Sequence, residues 1–437
     1  MNTLPMCRLA AFLWLITTYA GKAQSVSYEL LSPLPEPISN NAVTAAAVDD
    51  NWYVYTFTGL AAGKDCADDH LRAYRYHVAT DTWEALPDVP DPQGGKIAAA
   101  ASTLRGIIYV VGGYHLGSSC AETSSAAIHR FDPATNEWLS DGAPLPIPID
   151  DQVQGTWRDS LLYVISGWSN NGNVGAVQIY DPAADSWSMG TELPLSTRYR
   201  VFGGSGTIIG DTIYYVGGAA ATQGFPMRAV YRKGVINSEA PTEITWTDAD
   251  SPAARRYRSA AATYNGLPIW LGGSAVSYNF DGLAYDGSGG VAPLTDVCVG
   301  TPQNMLLTRV PDALPPVMDL RGAAALDDGT YILVGGLDSA QQVRDAVLRV
   351  QIDALTATAR PEKDNPLELF PNPVRHQVYI ALPPGSRLRV YDRHGKARWE
   401  RLRDGRLSTA DWAAGTYWLQ AVLPDGSRQS GTLFVIR

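Results

Sequence analysis

The sequence predicts an all-β protein: six repeats of four short strands, followed by a small C-terminal β-sandwich. Three observations carry that prediction. An apolar run closing on a glycine pair, as in "GIIYVVGG" (106–113), recurs along the chain. Its flanks recur in the same order, small residues before it, then an aromatic, a turn and a tryptophan after it. Glycine (41), tyrosine (22) and tryptophan (12) are abundant while only 18% of the 437 residues are charged, a composition suited to a turn-rich β protein.

The first 23 residues read as a signal peptide. Arg8 precedes the apolar "LAAFLWLITTYA", and Gly21-Lys22-Ala23 supplies a small-x-small cleavage site. The apolar stretch is too short to span a bilayer comfortably. The mature chain is therefore expected outside the cytoplasm, secreted or at the outer surface, with no transmembrane segment left. Three cysteines follow, Cys66, Cys120 and Cys298.

The repeats occupy residues 26–353. The glycine pair recurs in "TIYYVGGA", "PIWLGGS" and "TYILVGGL", with degenerate copies "WYVYTFTGL" and "LLYVISGWS". Their landmark glycines, 59, 113, 167, 218, 273 and 336, are 54, 54, 51, 55 and 63 residues apart, the signature of a repeat architecture. Upstream lie the small-residue strands "AVTAAAV", "IAAAAS", "VFGGSGTI", "SAAATY" and "GAAAL". Downstream come "YRYHVATDTW", "RFDPATNEW" and "IYDPAADSW", then proline-rich exits. Each repeat thus reads as strands a to d. Small residues suit an innermost strand a crowded around an axis, glycines end strand b, and Asp-Pro turns join c to d.

Glycine pair, Tyr/Phe-Asp-Pro and tryptophan in that order resemble the kelch repeat. The resemblance implies a β-propeller of four-stranded blades, here six. Blade five departs from the pattern: "LAYDGSGGVAPL" keeps the aromatic but no tryptophan follows, and "TDVCVGTPQNMLLTRV" reads as an inserted loop. The sixth repeat stops after "AVLRVQID", and "VSYELLSPLPEP" (26–37) looks like an orphan strand d that closes blade six.

Residues 354–366 form a polar linker. The tail, 367–437, is basic, so the acidic balance behind the net charge of −10 lies in the repeats. Its alternating runs "HQVYIAL", "RLRVYD", "TYWLQAVL" and "GTLFVIR" predict the β-sandwich. The tail resembles the type A C-terminal sorting domain of the type IX secretion system of Bacteroidota. The matching residues are Pro371-Asn372-Pro373 in "LELFPNPVRHQVYI", Gly395 in "VYDRHGK", and Gly415 and Tyr417 in "DWAAGTYWLQ". The resemblance implies engagement of the type IX machinery, export across the outer membrane and removal of the domain.

With four antiparallel strands per blade, b–c loops and d–a connections share one face. Lys96, Asp151, Arg200, Arg258 and Arg321 precede successive strands a, and Tyr114, His115, Trp168 and Asn170 follow the glycines. Cations with aromatics at a channel mouth could clamp a carboxylate or an anionic sugar, since guanidinium binds carboxylate bidentately. The competing reading is that they satisfy local turns and nearby carboxylates. Cys66 and Cys120 fall in equivalent loops of adjacent blades and read as a disulfide; the other option is zinc bound by Cys66, His70, His115 and Cys120. His77 and His129 read as structural, and the Asp-Gly stretches at 286–290 and 327–330 as hairpin turns. No metal or cofactor is expected.

No Gly-x-Ser-x-Gly elbow, HExxH or P-loop occurs. The negative net charge argues against a general nucleic-acid binder. Two function classes remain. One is a monomeric binding module for a glycan or protein. The other is a carbohydrate-active enzyme of the kelch type, such as a sialic-acid mutarotase. The copper set of the galactose-oxidase type cannot be placed, and the sialidase Asp-box is absent.

Overall fold

The computed structural model describes residues 25–355, 365–391, 397–400, 402, 405–424 and 428–436. The expected signal peptide, most of the expected linker and Gly395 lie outside the described residues.

Between residues 25 and 354 the strands pair as six antiparallel sheets of four strands, each following the order a-b-c-d, with a separate two-stranded ladder of Trp168–Ser169 and Gly172–Asn173. Sheet 1 comprises Ala42–Val48, Asn51–Leu60, Asp69–His77 and Thr82–Leu86. Sheet 2 comprises Ile97–Leu104, Ile107–Leu116, Ile128–Asp132 and Glu137–Trp138, with an extra strand, Glu122–Ser124, on the end of b. Sheet 3 is Val153–Trp157, Leu161–Ile165, Val177–Asp181 and Ser186–Met189. Sheet 4 is Phe202–Ile209, Thr212–Ala219, Val230–Asn237 and Ala240–Asp250. Sheet 5 is Ala260–Tyr264, Leu267–Leu271, Val297–Gly300 and Leu307–Val310. Sheet 6 takes Ala324–Ala325, Thr330–Val334 and Val347–Ala354 from the end of the segment, and its strand d, Ser25–Leu30, from the beginning. That strand pairs antiparallel with strand c, Tyr28 opposite Val350. The circle of sheets is therefore held by hydrogen bonds between the two ends of the segment.

Strands b form the buried layer, with Val54, Val110, Val164, Tyr215, Ile269 and Ile332 almost wholly covered. Strands a surround a central channel of about 320 Å³, to which all six sheets contribute, among them Thr44, Ala101, Gln154, Gly206, Ala261 and Ala325. The small side chains of strand a follow from that crowding.

The recurring glycines stitch each sheet to the next. Gly59 N–H donates to Lys96 O (3.1 Å), Gly113 to Ile149 O (2.9 Å) and Gly167 to Val201 O (2.9 Å). Gly218 donates to Arg256 O (2.8 Å), Gly273 to Val317 O (3.0 Å) and Gly336 to Ile38 O (2.9 Å), which closes the circle. The neighbouring backbone lies so close that a Cβ on Gly217 would sit 1.8 Å from Arg256 O, and one on Gly335 2.1 Å from Ile38 O. Both glycines also have positive φ, +64° and +70°, which side chains disfavour.

A second circle lies just inside the first. Near the start of each strand a one residue adopts positive φ: Asn40, Ala98, Asp151, Gly203, Arg258 and Asp319. Ala98 N–H donates to Asn40 O (3.2 Å), Asp151 to Ala98 O (3.2 Å), Gly203 to Asp151 O (2.9 Å) and Arg258 to Gly203 O (2.9 Å). Leu320 N–H then reaches Arg258 O (2.9 Å) and Asn40 N–H reaches Asp319 O (3.3 Å). This belt of main chain rings one mouth of the channel.

Blade five corrects the sequence reading. "TDVCVGTPQNMLLTRV" is not an inserted loop, because it contains strands c (Val297–Gly300) and d (Leu307–Val310) of sheet 5. The extra length lies before them, between strand b and Val297, and the aromatic of "LAYD", Tyr285, belongs to that loop. Strand c escaped notice because all four of its residues are buried, so it shows no alternation. Cys298 is accordingly a buried strand residue opposite Trp270.

In the tail, Asn365–Pro366, Arg428–Val435, Gly415–Val422, Arg387–Tyr391 and Ala397–Glu400 form one sheet. Leu369–Phe370, Gln377–Ile380 and Arg406–Ser408 form another. Both contribute to one core, including Val378, Leu388, Leu419 and Leu433. Asn372 ties the Pro-Asn-Pro turn to the last strand, its Nδ2 donating to Thr432 O (2.7 Å) and its Oδ1 accepting from Phe434 N–H (2.9 Å). Tyr417 donates to Ala413 O (2.9 Å) and packs on Trp412, 4.7 Å between ring centres, just beyond Gly415.

Because the Gly217 contact is with main chain, Gly217→Ala is expected to cost about 3 kcal/mol of stability. Chemical denaturation checks this, and a loss below about 0.5 kcal/mol would mean the seam between sheets 4 and 5 can open at no cost.

Candidate functional site

The belt and the glycine circle bring d–a connections and b–c loops to the same mouth of the channel. Between sheets 2 and 5 they leave a pocket of about 140 Å³. Tyr114, Glu122, Asp150, Asp151, Trp168, Phe202, Phe225, Arg258 and Tyr285 line it. Trp168 directly follows Gly167, Asp151 and Arg258 are belt residues, and Phe225 and Tyr285 come from the long b–c loops of sheets 4 and 5.

Arg258 is the hub and is almost wholly buried. Its Nη2 and Nε donate to the two oxygens of Asp151 (2.6 and 3.0 Å), and its Nη1 donates to Asp319 Oδ1 (3.0 Å). Arg321 reaches Asp151 Oδ1 at 3.3 Å and donates to Gln152 O at 3.0 Å. The hydroxyls of Tyr257 and Tyr278, beside Arg258, have no hydrogen-bond partner among the described residues. Burial pushes the ionisation of Tyr114, Tyr257 and Tyr278 well above the usual phenol range, so they keep their protons.

Asp150 differs from its neighbour Asp151. It accepts from Ser124 Oγ at 2.6 Å and forms no ion pair among the described residues. Burial, and after it the charge of Asp151, pushes its carboxyl well above the usual range. Burial also raises Asp319, against the opposing charge of Arg258.

Of the residues expected from sequence, Tyr114, Asp151, Trp168 and Arg258 line this pocket, and Arg321 lies behind Asp151. The remaining cations do not join them. Arg200 pairs with Glu192 (3.0 Å) and Leu193 O (3.1 Å). Lys96 is fully buried, its Nζ donating to Asp91 Oδ2 and to His129 Nε2, both at 2.9 Å. His115 Nε2 lies 3.7 Å from the same Asp91 oxygen, while Nδ1 bonds Gly95 O at 2.8 Å. Burial favours the neutral form of Asp91, but His129 and Lys96 hold its carboxyl below the usual range. The five expected positions divide because they are not equivalent relative to the belt. Asp151 and Arg258 are belt residues, whereas Lys96 lies two before it, Arg200 three before it and Arg321 two after it. A strand repeats its side-chain direction every two residues, and the belt's turn changes it again.

Cys66 and Cys120 are joined to each other, their Cα atoms 5.0 Å apart, across sheets 1 and 2. His70, nearby and buried, has neither ring nitrogen hydrogen-bonded among the described residues. His77 bonds Thr80, and the Asp-Gly stretches form local turns, Asp286 accepting from Ser288 N–H and Asp327 from Thr330 N–H.

Sequence reasoning passed over Asp150, Asp319, Glu122, Phe202, Phe225 and Tyr285. Asp150 and Asp319 had a usable signal, the register of Asp151. The loop aromatics had none, because the distance from the glycine landmark to the pocket varies with loop length.

Two outcomes follow from the buried polar groups. Lys96→Met strands the Asp91 charge and should cost about 3–5 kcal/mol, read by denaturation, with Asp91→Asn in the same background recovering part of the loss. Burial lowers His70 to about 4. Between about pH 6.5 and 4 the unfolded chain takes up a proton that the folded chain refuses, so stability falls with pH by up to about 3 kcal/mol. The wild-type curve minus that of His70→Phe should show this slope, and a flat difference would refute it.

The Kelch motif model matches residues 98–140, which are sheet 2. Kelch-like protein 26 of Danio rerio is 29% identical over 143 residues, 33% of this chain and 23% of that protein. Kelch-like protein terF of Aspergillus terreus is 29% identical over 255 residues, 56% of this chain and 51% of that protein. The chain thus spans about a quarter to a half of the length of these curated relatives. The solved structure of YjhT superposes with a TM-score of 0.54 at 17% identity, over 74% of this chain and 99% of that one. Motif, relatives and four-stranded sheets together support a kelch-repeat β-propeller.

Proposed function

We propose that the six sheets are six blades of a propeller that acts outside the cell as a ligand-binding module, with the Trp168–Arg258 pocket as its site and a glycan as its ligand. The observation that carries the reading is the pocket itself. It combines five aromatic rings, buried carboxyl groups and a guanidinium at the mouth where the loops of several blades meet. Aromatic walls with a few fixed polar groups are how sugar-sized ligands are held. Arg258 is engaged by Asp151 and Asp319, so it organises the site more than it offers a free clamp to an anionic sugar.

On this reading the leader at 1–23 takes the chain out of the cytoplasm. The tail, a β-sandwich resembling the type IX sorting domain, then engages that machinery and places the propeller in the medium or at the outer surface. The Pro371–Pro373 turn, Gly415 and Tyr417 support it as residues of the resemblance.

A second reading, a sugar isomerase of the mutarotase kind, is favoured by one observation. Asp150, whose carboxyl burial pushes well above the usual range, adjoins the ion-paired Asp151, and a carboxyl that keeps its proton suits proton transfer.

A glycan screen on the purified full chain tests the first reading: binding is expected, reduced at least about tenfold by Trp168→Ala. NMR exchange of sialic-acid and neutral-sugar anomers tests the second. Accelerated exchange lost in Asp150→Asn would establish an enzyme, and unaccelerated exchange leaves the binding module.

A further inference from the structure

We propose that the group seated in this pocket is a positively charged amine, carried on an amino sugar; the inference rests on the pocket being the binding site. Three features converge on it. Two carboxylates lining the pocket, Asp150 and Glu122, form no ion pair with any Lys, Arg or His among the described residues. Asp150 is 3% exposed and its carboxyl is pushed well above the usual range, so without a cation beside it the neutral form is favoured, and a seated ammonium group supplies the missing counter-ion. The cations at hand are already committed, Arg258 to Asp151 and Asp319, and Arg321 to Asp151.

The walls supply the second feature. Trp168, Phe202, Phe225 and Tyr285 form one cluster, with ring centres 5.7 Å apart for Trp168–Phe225, 5.5 Å for Phe202–Phe225 and 4.8 Å for Phe225–Tyr285. Such π surfaces attract ammonium groups, and the attraction grows when water is excluded. They also stack on the apolar face of a sugar ring. The third feature is size. A pocket of about 140 Å³ takes a small headgroup rather than an extended chain. A carboxylate-bearing sugar entering the same space meets Asp151 and Glu122 and finds both guanidinium groups already paired, so an ammonium group fits better.

Isothermal titration of the full chain with glucosamine, N-acetylglucosamine, galacturonic acid and tetramethylammonium chloride tests this. Glucosamine and tetramethylammonium should bind, with N-acetylglucosamine at least about tenfold weaker and galacturonic acid silent. Asp150→Asn should weaken glucosamine about tenfold. Glu122→Gln, on the exposed rim and harmless to folding, should weaken it in the same direction. Equal binding of glucosamine and its N-acetyl form, or glucosamine affinity unmoved by both carboxyl variants, overturns the amine while leaving the pocket as a sugar site if Trp168→Ala still abolishes binding. Tetramethylammonium binding without glucosamine overturns the sugar. If a broad glycan screen finds ligands whose affinity Trp168→Ala leaves untouched, the pocket itself is not the site and the reading beneath this inference fails.

Discussion

The hydrogen bond from the landmark glycine of one sheet to the main chain leading into the next is the contact on which the rest of the domain depends. It is made six times and returns to its start, Gly336 to Ile38. A single bond of this kind is worth only about 1 kcal/mol net. Its structural weight is geometric. It sets how closely adjacent sheets approach, and the approach leaves no space for a side chain at the first glycine of a pair. Removing the pair would separate two sheets and also displace the d–a connection that carries the belt residue.

The belt converts that repetition into a site. Six positions share one unusual backbone conformation, and the side chains there are Asn40, Ala98, Asp151, Gly203, Arg258 and Asp319. A non-glycine residue with positive φ is uncommon and costs energy, least for Asn and Asp, so Ala98 and Arg258 are held there by the ring around them. Asp151, Arg258 and Asp319 then meet near the axis as a nearly neutral cluster. The pocket opens on the side where loops of sheets 2 to 5 add aromatics and the unpaired acids. Regular main chain builds the floor, and irregular loops build the walls.

Charge is partitioned in the same way. Lys96, Asp91, His129 and His115 form a buried group between sheets 1 and 2. Each charge there has a partner, which fits a structural role. At the pocket the balance is different, with carboxylates exceeding their cations. Burial without pairing is the costly arrangement, and at the pocket Asp150 is the residue that bears it.

By itself the sequence determined the all-β class, the repeat, the small residues of strand a and the glycines that end strand b, because each follows from local backbone geometry recurring every fifty or so residues. It also held the belt register, visible once Asp151 and Arg258 are aligned with Asn40 and Asp319. It could not reveal strand c of sheet 5, where burial on both faces erases alternation. Nor could it separate Lys96 and Arg200 from Arg258, because side-chain direction depends on a turn that only the ring imposes. The rest of the pocket was decided by tertiary structure: Glu122, Phe225 and Tyr285 are far in the chain from one another, and only the closing of the circle brings their loops to the mouth where Trp168 and Arg258 lie.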